Sequence, residues 1–108
     1  MKHDYRKDLE LITCIVQRGK ADVLVKAAME SGAKGATIYF ARGTGVREKL
    51  GILGIAIKPE KEVIFIITPE KHTDEIFDAL IQAGKLDVPG HGIAYVTKIG
   101  RHIGLVID

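Results

Sequence analysis

The chain repeats one pattern twice, and that repeat limits its fold more than any other feature. Leu9 to Val16 is a short run rich in Leu, Ile and Val, which reads as a strand. Arg18-Gly19-Lys20 turns the chain, and Ala21 to Ser31 carries Val23, Leu24, Ala27 and Ala28 at helical spacing. Gly32 and Lys34-Gly35 end that helix, and Thr37–Ala41 is a second strand. The same order returns at Val63–Thr68, then in a helix with Ile76, Phe77, Leu80 and Ile81 on one stripe, a glycine turn, and a strand over Ile93–Lys98. Pro69 is expected at the first helical position with Thr68 as its cap, and Gly84 as the cap at the other end. Two such units in series give βαββαβ. That is the α+β, ferredoxin-like pattern, a four-stranded antiparallel sheet with two helices on one face.

The strands demand more cover than two helices supply. Leu9–Val16 is mainly apolar on both sides, and Val63–Ile67 is apolar on both sides outright. Strands buried on both faces read this way, whereas a half-solvated sheet alternates. A homo-oligomer packing its sheets together is therefore expected. At 108 residues the chain is one domain. It divides into an arm (1–8), a long connection (43–62), a glycine turn (84–92) and a tail (99–108), in which Ile103–Ile107 is expected to add a short strand. Ile52–Ile57 within the connection reads as strand-like. Connections of that length are uncommon in compact domains and often functional.

Composition excludes several classes of function. A net charge of +2 is too small to argue for nucleic acid. The charged N-terminus is no signal peptide, and no apolar run reaches the roughly 18 residues of a membrane span, so a cytoplasmic protein is expected. Cys14 is the only cysteine and Ser31 the only serine. His3, His72, His91 and His102 are scattered, and the carboxylates of Glu60, Glu62, Glu70, Asp74 and Glu75 read as surface charge. No catalytic set stands out and no metal site is expected; the reading is a non-enzyme.

The residues suited to a ligand are glycines and cations. Arg42-Gly43-Thr44-Gly45-Val46-Arg47 leaves the second strand, and Gly84-Lys85 to Gly90-His91-Gly92 enters the fourth. Lys98 and Arg101 follow that strand. Phosphates need backbone donors and cations of this kind. The two turns are far apart in sequence, and a subunit cleft is one way to bring them together. Neither is a P-loop or a complete dinucleotide fingerprint.

Over about residues 9–98 the chain resembles the PII signalling proteins (nitrogen regulatory protein P-II), as a divergent member. Lys34-Gly35-Ala36-Thr37 followed by Arg42-Gly43-Thr44-Gly45 looks like that family's second strand and the start of its long T-loop. Ala83-Gly84-Lys85 leading to Gly90-His91-Gly92-Ile93-Ala94-Tyr95-Val96 looks like its B-loop signature. The resemblance implies a trimer that binds ATP, ADP or AMP in intersubunit clefts, with Mg2+ as a companion ion and no obligatory cofactor. It implies nucleotide contacts at Gly43, Gly45, Gly84, Lys85, Gly90 and Gly92, to which the residues' own chemistry adds His91, Lys98 and Arg101. It also implies a loop (Arg47, Lys49, Leu50, Ile52, Leu53) that docks on a target protein, a membrane transporter or a regulated enzyme. The chain departs from the pattern in its inserted Asp87-Val88-Pro89, in lacking a lysine between Gly92 and Ile93, and in lacking closely spaced arginines in the tail. No tyrosine stands in 43–62 for uridylylation, and Val46-Arg47 replaces the glutamine that supports 2-oxoglutarate. The alternative is a divalent-metal-responsive trimer of the CutA type, with His91, His102 or Cys14 as ligands.

Overall fold

A computed structural model describes residues 5–43 and 60–105. The elements follow the expected order: β1 (Leu9–Gln17), α1 (Ala21–Glu30), β2 (Thr37–Arg42), β3 (Glu60–Pro69), α2 (Glu70–Gly84) and β4 (Gly92–Lys98). The strands form one antiparallel sheet in the order β2-β3-β1-β4.

Both helices lie on one face of the sheet. Ile12, Cys14 and Val16 of β1 share that face with Ile64 and Ile66 of β3 and are wholly or almost wholly buried. Ala21, Leu24 and Ala28 of α1, with Ile76 and Leu80 of α2, close the core over them. Their spacing of three and four residues places them on one side of each helix. β2 extends beyond this cover, and Ile38 and Phe40 on the same face remain exposed. Arg18 lies over the Phe40 ring at 5.4 Å.

The opposite face carries Leu11, Thr13 and Ile15 of β1, Val63, Phe65 and Ile67 of β3, Tyr39 of β2 and Ile93 and Tyr95 of β4. No described helix covers it. Ile93 is 55% exposed, and Tyr39 and Tyr95 are each 43% exposed. The expected shortage of cover is thus present in the single chain.

Four local expectations change. β3 begins at Glu60, so residues 60–62 of the expected 43–62 connection are strand, paired with β1 and β2. Pro69 ends β3 in an extended conformation (φ −60°, ψ 141°) as the N-cap of α2, which starts at Glu70. Thr68 Oγ1 turns to the Pro69 carbonyl oxygen at 3.1 Å instead of capping the helix, and Asp8 O accepts the Glu70 N–H at 2.7 Å. Gly84 is the last helical residue, and the left-handed cap is Lys85 (φ 51°, ψ 46°). Residues Ile103–Leu105 form no strand. Gly104 at φ +94° turns the chain, and Ile103 is 77% exposed. The strand-like Ile52–Ile57 lies outside the described residues.

Candidate functional site

The ladder brings the two glycine turns to one end of the sheet. Arg42 pairs with Glu60, Gln17 with Lys61, and Val16 with Gly92. The end of β2, the start of β3, the end of β1 and the start of β4 therefore lie side by side. An open cavity of about 530 Å3 forms there, and Gln17, Arg42, Gly43, Lys61, Gly90 and Gly92 are among its lining residues. Gly43 and the Gly90 turn thus share a cavity within one chain, without waiting for a second subunit. Ile15, Tyr39, Val63 and Ile93 give it an apolar floor on the open sheet face.

The glycines serve different ends. Gly90 (φ +90°) has nothing within 4 Å of the point where a Cβ would stand, so the space beside it is open. At Gly92 (φ +140°) a Cβ would stand 2.5 Å from the Ile15 carbonyl oxygen. That glycine admits the chain's own backbone, not a ligand. At Gly84 a Cβ would meet Leu86 Cδ2 at 3.0 Å and Leu24 Cδ2 at 3.2 Å, so this position serves close packing of α2 on α1.

The remaining expected contacts divide. Gly84, Lys85 and His91 line a second cavity, of about 350 Å3, on the helix side of the Gly90 turn. Lys98 and Arg101 lie toward the far end of β4, where Lys98 pairs with Glu10 in the ladder. The seven-residue strand runs from Gly92 to Lys98, about 20 Å at the usual rise. Lys98 Nζ also meets Glu70 Oε2 at 2.5 Å, and this carboxylate holds its pKa above the ordinary lysine value. Gly45, Arg47, Lys49, Leu50, Ile52 and Leu53 lie outside the described residues.

Glu62 and Asp8 also have partners within the fold. Glu62, expected as surface charge, is 9% exposed, and its Oε1 accepts the backbone N–H groups of Gly19 and Ala21, the latter at 3.2 Å. It thereby fixes the turn into α1 and places a negative charge at that helix's N-terminus. Asp8 pairs with Arg6 at 2.8 Å, and the guanidinium's hydrogen bond holds its carboxyl below the usual range. Sequence reasoning also missed Gln17 and Lys61 as lining residues. Lys61 sits between two glutamates in what reads as a charged run, and only strand pairing brings it to the glycines' end of the sheet.

The possible metal ligands do not converge. Cys14 is wholly buried under the helices, which pushes its thiol pKa up to about 11. His102 packs edge-on against Tyr5 with ring centroids 5.8 Å apart, whereas His91 stands at the other end of β4. Among the described residues no three His, Cys, Asp or Glu side chains gather to hold an ion. No helix among them is long and apolar enough to cross a membrane.

A family model described as "Nitrogen regulatory protein P-II" matches residues 9–105. No curated protein matches the sequence. Among solved structures, PII of Arabidopsis thaliana, crystallised bound to citrate, is similar with a TM-score of 0.66 and 16% identity, over 86% of this chain and 78% of that one.

Proposed function

The chain belongs to the nitrogen regulatory protein P-II family and is a regulatory protein of the PII type, and we propose that it is a non-enzymatic, cytoplasmic sensor of adenine nucleotides. In this reading ATP, ADP or AMP binds in the cavity between Gly43 and the Gly90 turn. The observation that carries the proposal is that one cavity joins two glycine turns with Arg42, Lys61 and an apolar floor. The apolar floor suits a base, and the cations offset phosphate charge. Among the described residues no carboxylate lines the cavity, so a companion Mg2+ would be held by the phosphates and not by these side chains.

The nucleotide would act through the connection that begins at Gly43. Its two ends are clamped together by the Arg42–Glu60 pair, so a ligand against Gly43 bears directly on the base of the loop. Arg47, Lys49, Leu50, Ile52 and Leu53 would then meet the target, a transporter or an enzyme. The assembly would be a homotrimer, with the apolar sheet faces packed together. Lys98 and Arg101, remote from the cavity in their own chain, would reach a site only from a neighbouring subunit.

Calorimetric titration with ATP, ADP and AMP tests this. Micromolar binding to at least one is expected, with Arg42→Glu or Gly90→Val weakening it at least tenfold. No heat with any of the three, at protein concentrations in the tens of micromolar, sinks the proposal.

A further inference from the structure

The second cavity, on the helix side of the Gly90 turn, lies apart from the proposed nucleotide cavity. The two share Val16, Gln17 and Gly90. Lys20, Lys85 and His91 line it, and they come from three separate places: the N-cap of α1, the C-cap of α2 and the loop into β4. Val23, Leu24 and Ala83 form an apolar wall, and among the described residues no Asp or Glu lines it. Two lysines around one cavity repel one another unless a negative charge joins them, and the His91 ring adds a hydrogen-bonding group beside them. Glu62 lies beneath the turn, its Oε1 held by the Gly19 and Ala21 N–H groups, and is not among the residues that line the cavity. Lys85 is also the only non-glycine residue with positive φ among those described. Glycine is the relaxed choice at such a helix end, and lysine there brings a cation to the rim instead. A volume of about 350 Å3 falls at the lower end of the range of roughly 300–1,000 Å3 for small-molecule sites.

We infer that this cavity is a second ligand site, for a small organic anion with an apolar body: a phosphate monoester or carboxylate whose charge meets Lys20, Lys85 and His91 and whose body lies on Val23, Leu24 and Ala83. A bare inorganic anion uses only half of these contacts. Because both sites border Gly90, occupancy here bears on the same turn as the nucleotide.

Phenyl phosphate is a suitable probe, with inorganic phosphate as its comparison, each titrated into the 15N-labelled full chain. Phenyl phosphate is expected to give saturable shifts at the amides of Lys20, Leu24, Ala83 and Lys85, with an affinity at least tenfold above that of inorganic phosphate. Lys20→Glu, and Val23→Trp at a half-exposed position that fills the cavity, are each expected to weaken it at least tenfold while the spectrum stays dispersed. The inference is overturned if phenyl phosphate saturates no amide, if it shifts only Gly43 and Ile93, which line the other cavity alone, or if neither substitution changes its affinity. A parallel ADP titration, read at Gly43 and Ile93, reports on the nucleotide site independently.

Discussion

Gly92 shows at the scale of one residue how backbone geometry decides what a substitution costs. Its φ of +140° and the Ile15 carbonyl 2.5 Å from a Cβ position exclude any side chain without movement of β1 or β4. Gly92→Ala is expected to lower stability by about 3 kcal/mol, read from the urea unfolding midpoint. Gly90→Ala meets only the left-handed backbone penalty, about 1 kcal/mol, because the space beside it is open. Cys14 makes a prediction of a different kind. Burial raises its pKa from 9.0 to about 11, so the fold disfavours the thiolate. The resulting stability is fully present below about pH 9 and is lost as the pH rises toward about 11. That loss is on the order of 2 kcal/mol, and Cys14→Ala should remove that part of the alkaline pH dependence of unfolding.

At the scale of elements, α1 depends on a residue from β3. The helix has no side-chain cap of its own at Lys20, and Glu62 supplies the acceptor from across the sheet. Glu62→Ala leaves the Gly19 and Ala21 N–H groups without that acceptor and removes a charge favourable to the helix dipole. It is expected to cost about 2 kcal/mol and to speed amide hydrogen exchange first at residues 19–24. The same contact ties the start of β3 to the turn that borders both cavities.

For the whole molecule, the uncovered sheet face sets the expected assembly. Leu11, Ile15, Phe65 and Ile67 are only half-buried in one chain, and Tyr39 and Phe65 pack there with ring centroids 5.4 Å apart. Association hides this apolar surface from water. Sedimentation is expected to give three times the 11.8 kDa chain mass, and Phe65→Lys is expected to shift it to the monomer or to precipitate it. A monomeric native chain at micromolar concentration would contradict the trimer.

The sequence by itself determined the βαββαβ order, the single helix-covered face and the surplus of apolar strand surface, because side-chain periodicity and strand composition are local properties. It also placed Gly43 and Gly90–Gly92 as the turns of interest. It did not determine which glycine faces a ligand: Gly84 and Gly92 serve packing, and only contacts with Leu24, Leu86 and Ile15 reveal this. Nor did it separate Lys85 and His91 from the Gly43 cavity, since a turn of a few residues has two sides and neighbours in sequence line both. Lys98 shows the same limit, close to the glycine turn in sequence but a strand's length away in space. Strand pairing and the two sides of the Gly90 turn are long-range facts. They set which residues share a cavity, and the tertiary structure alone decides them.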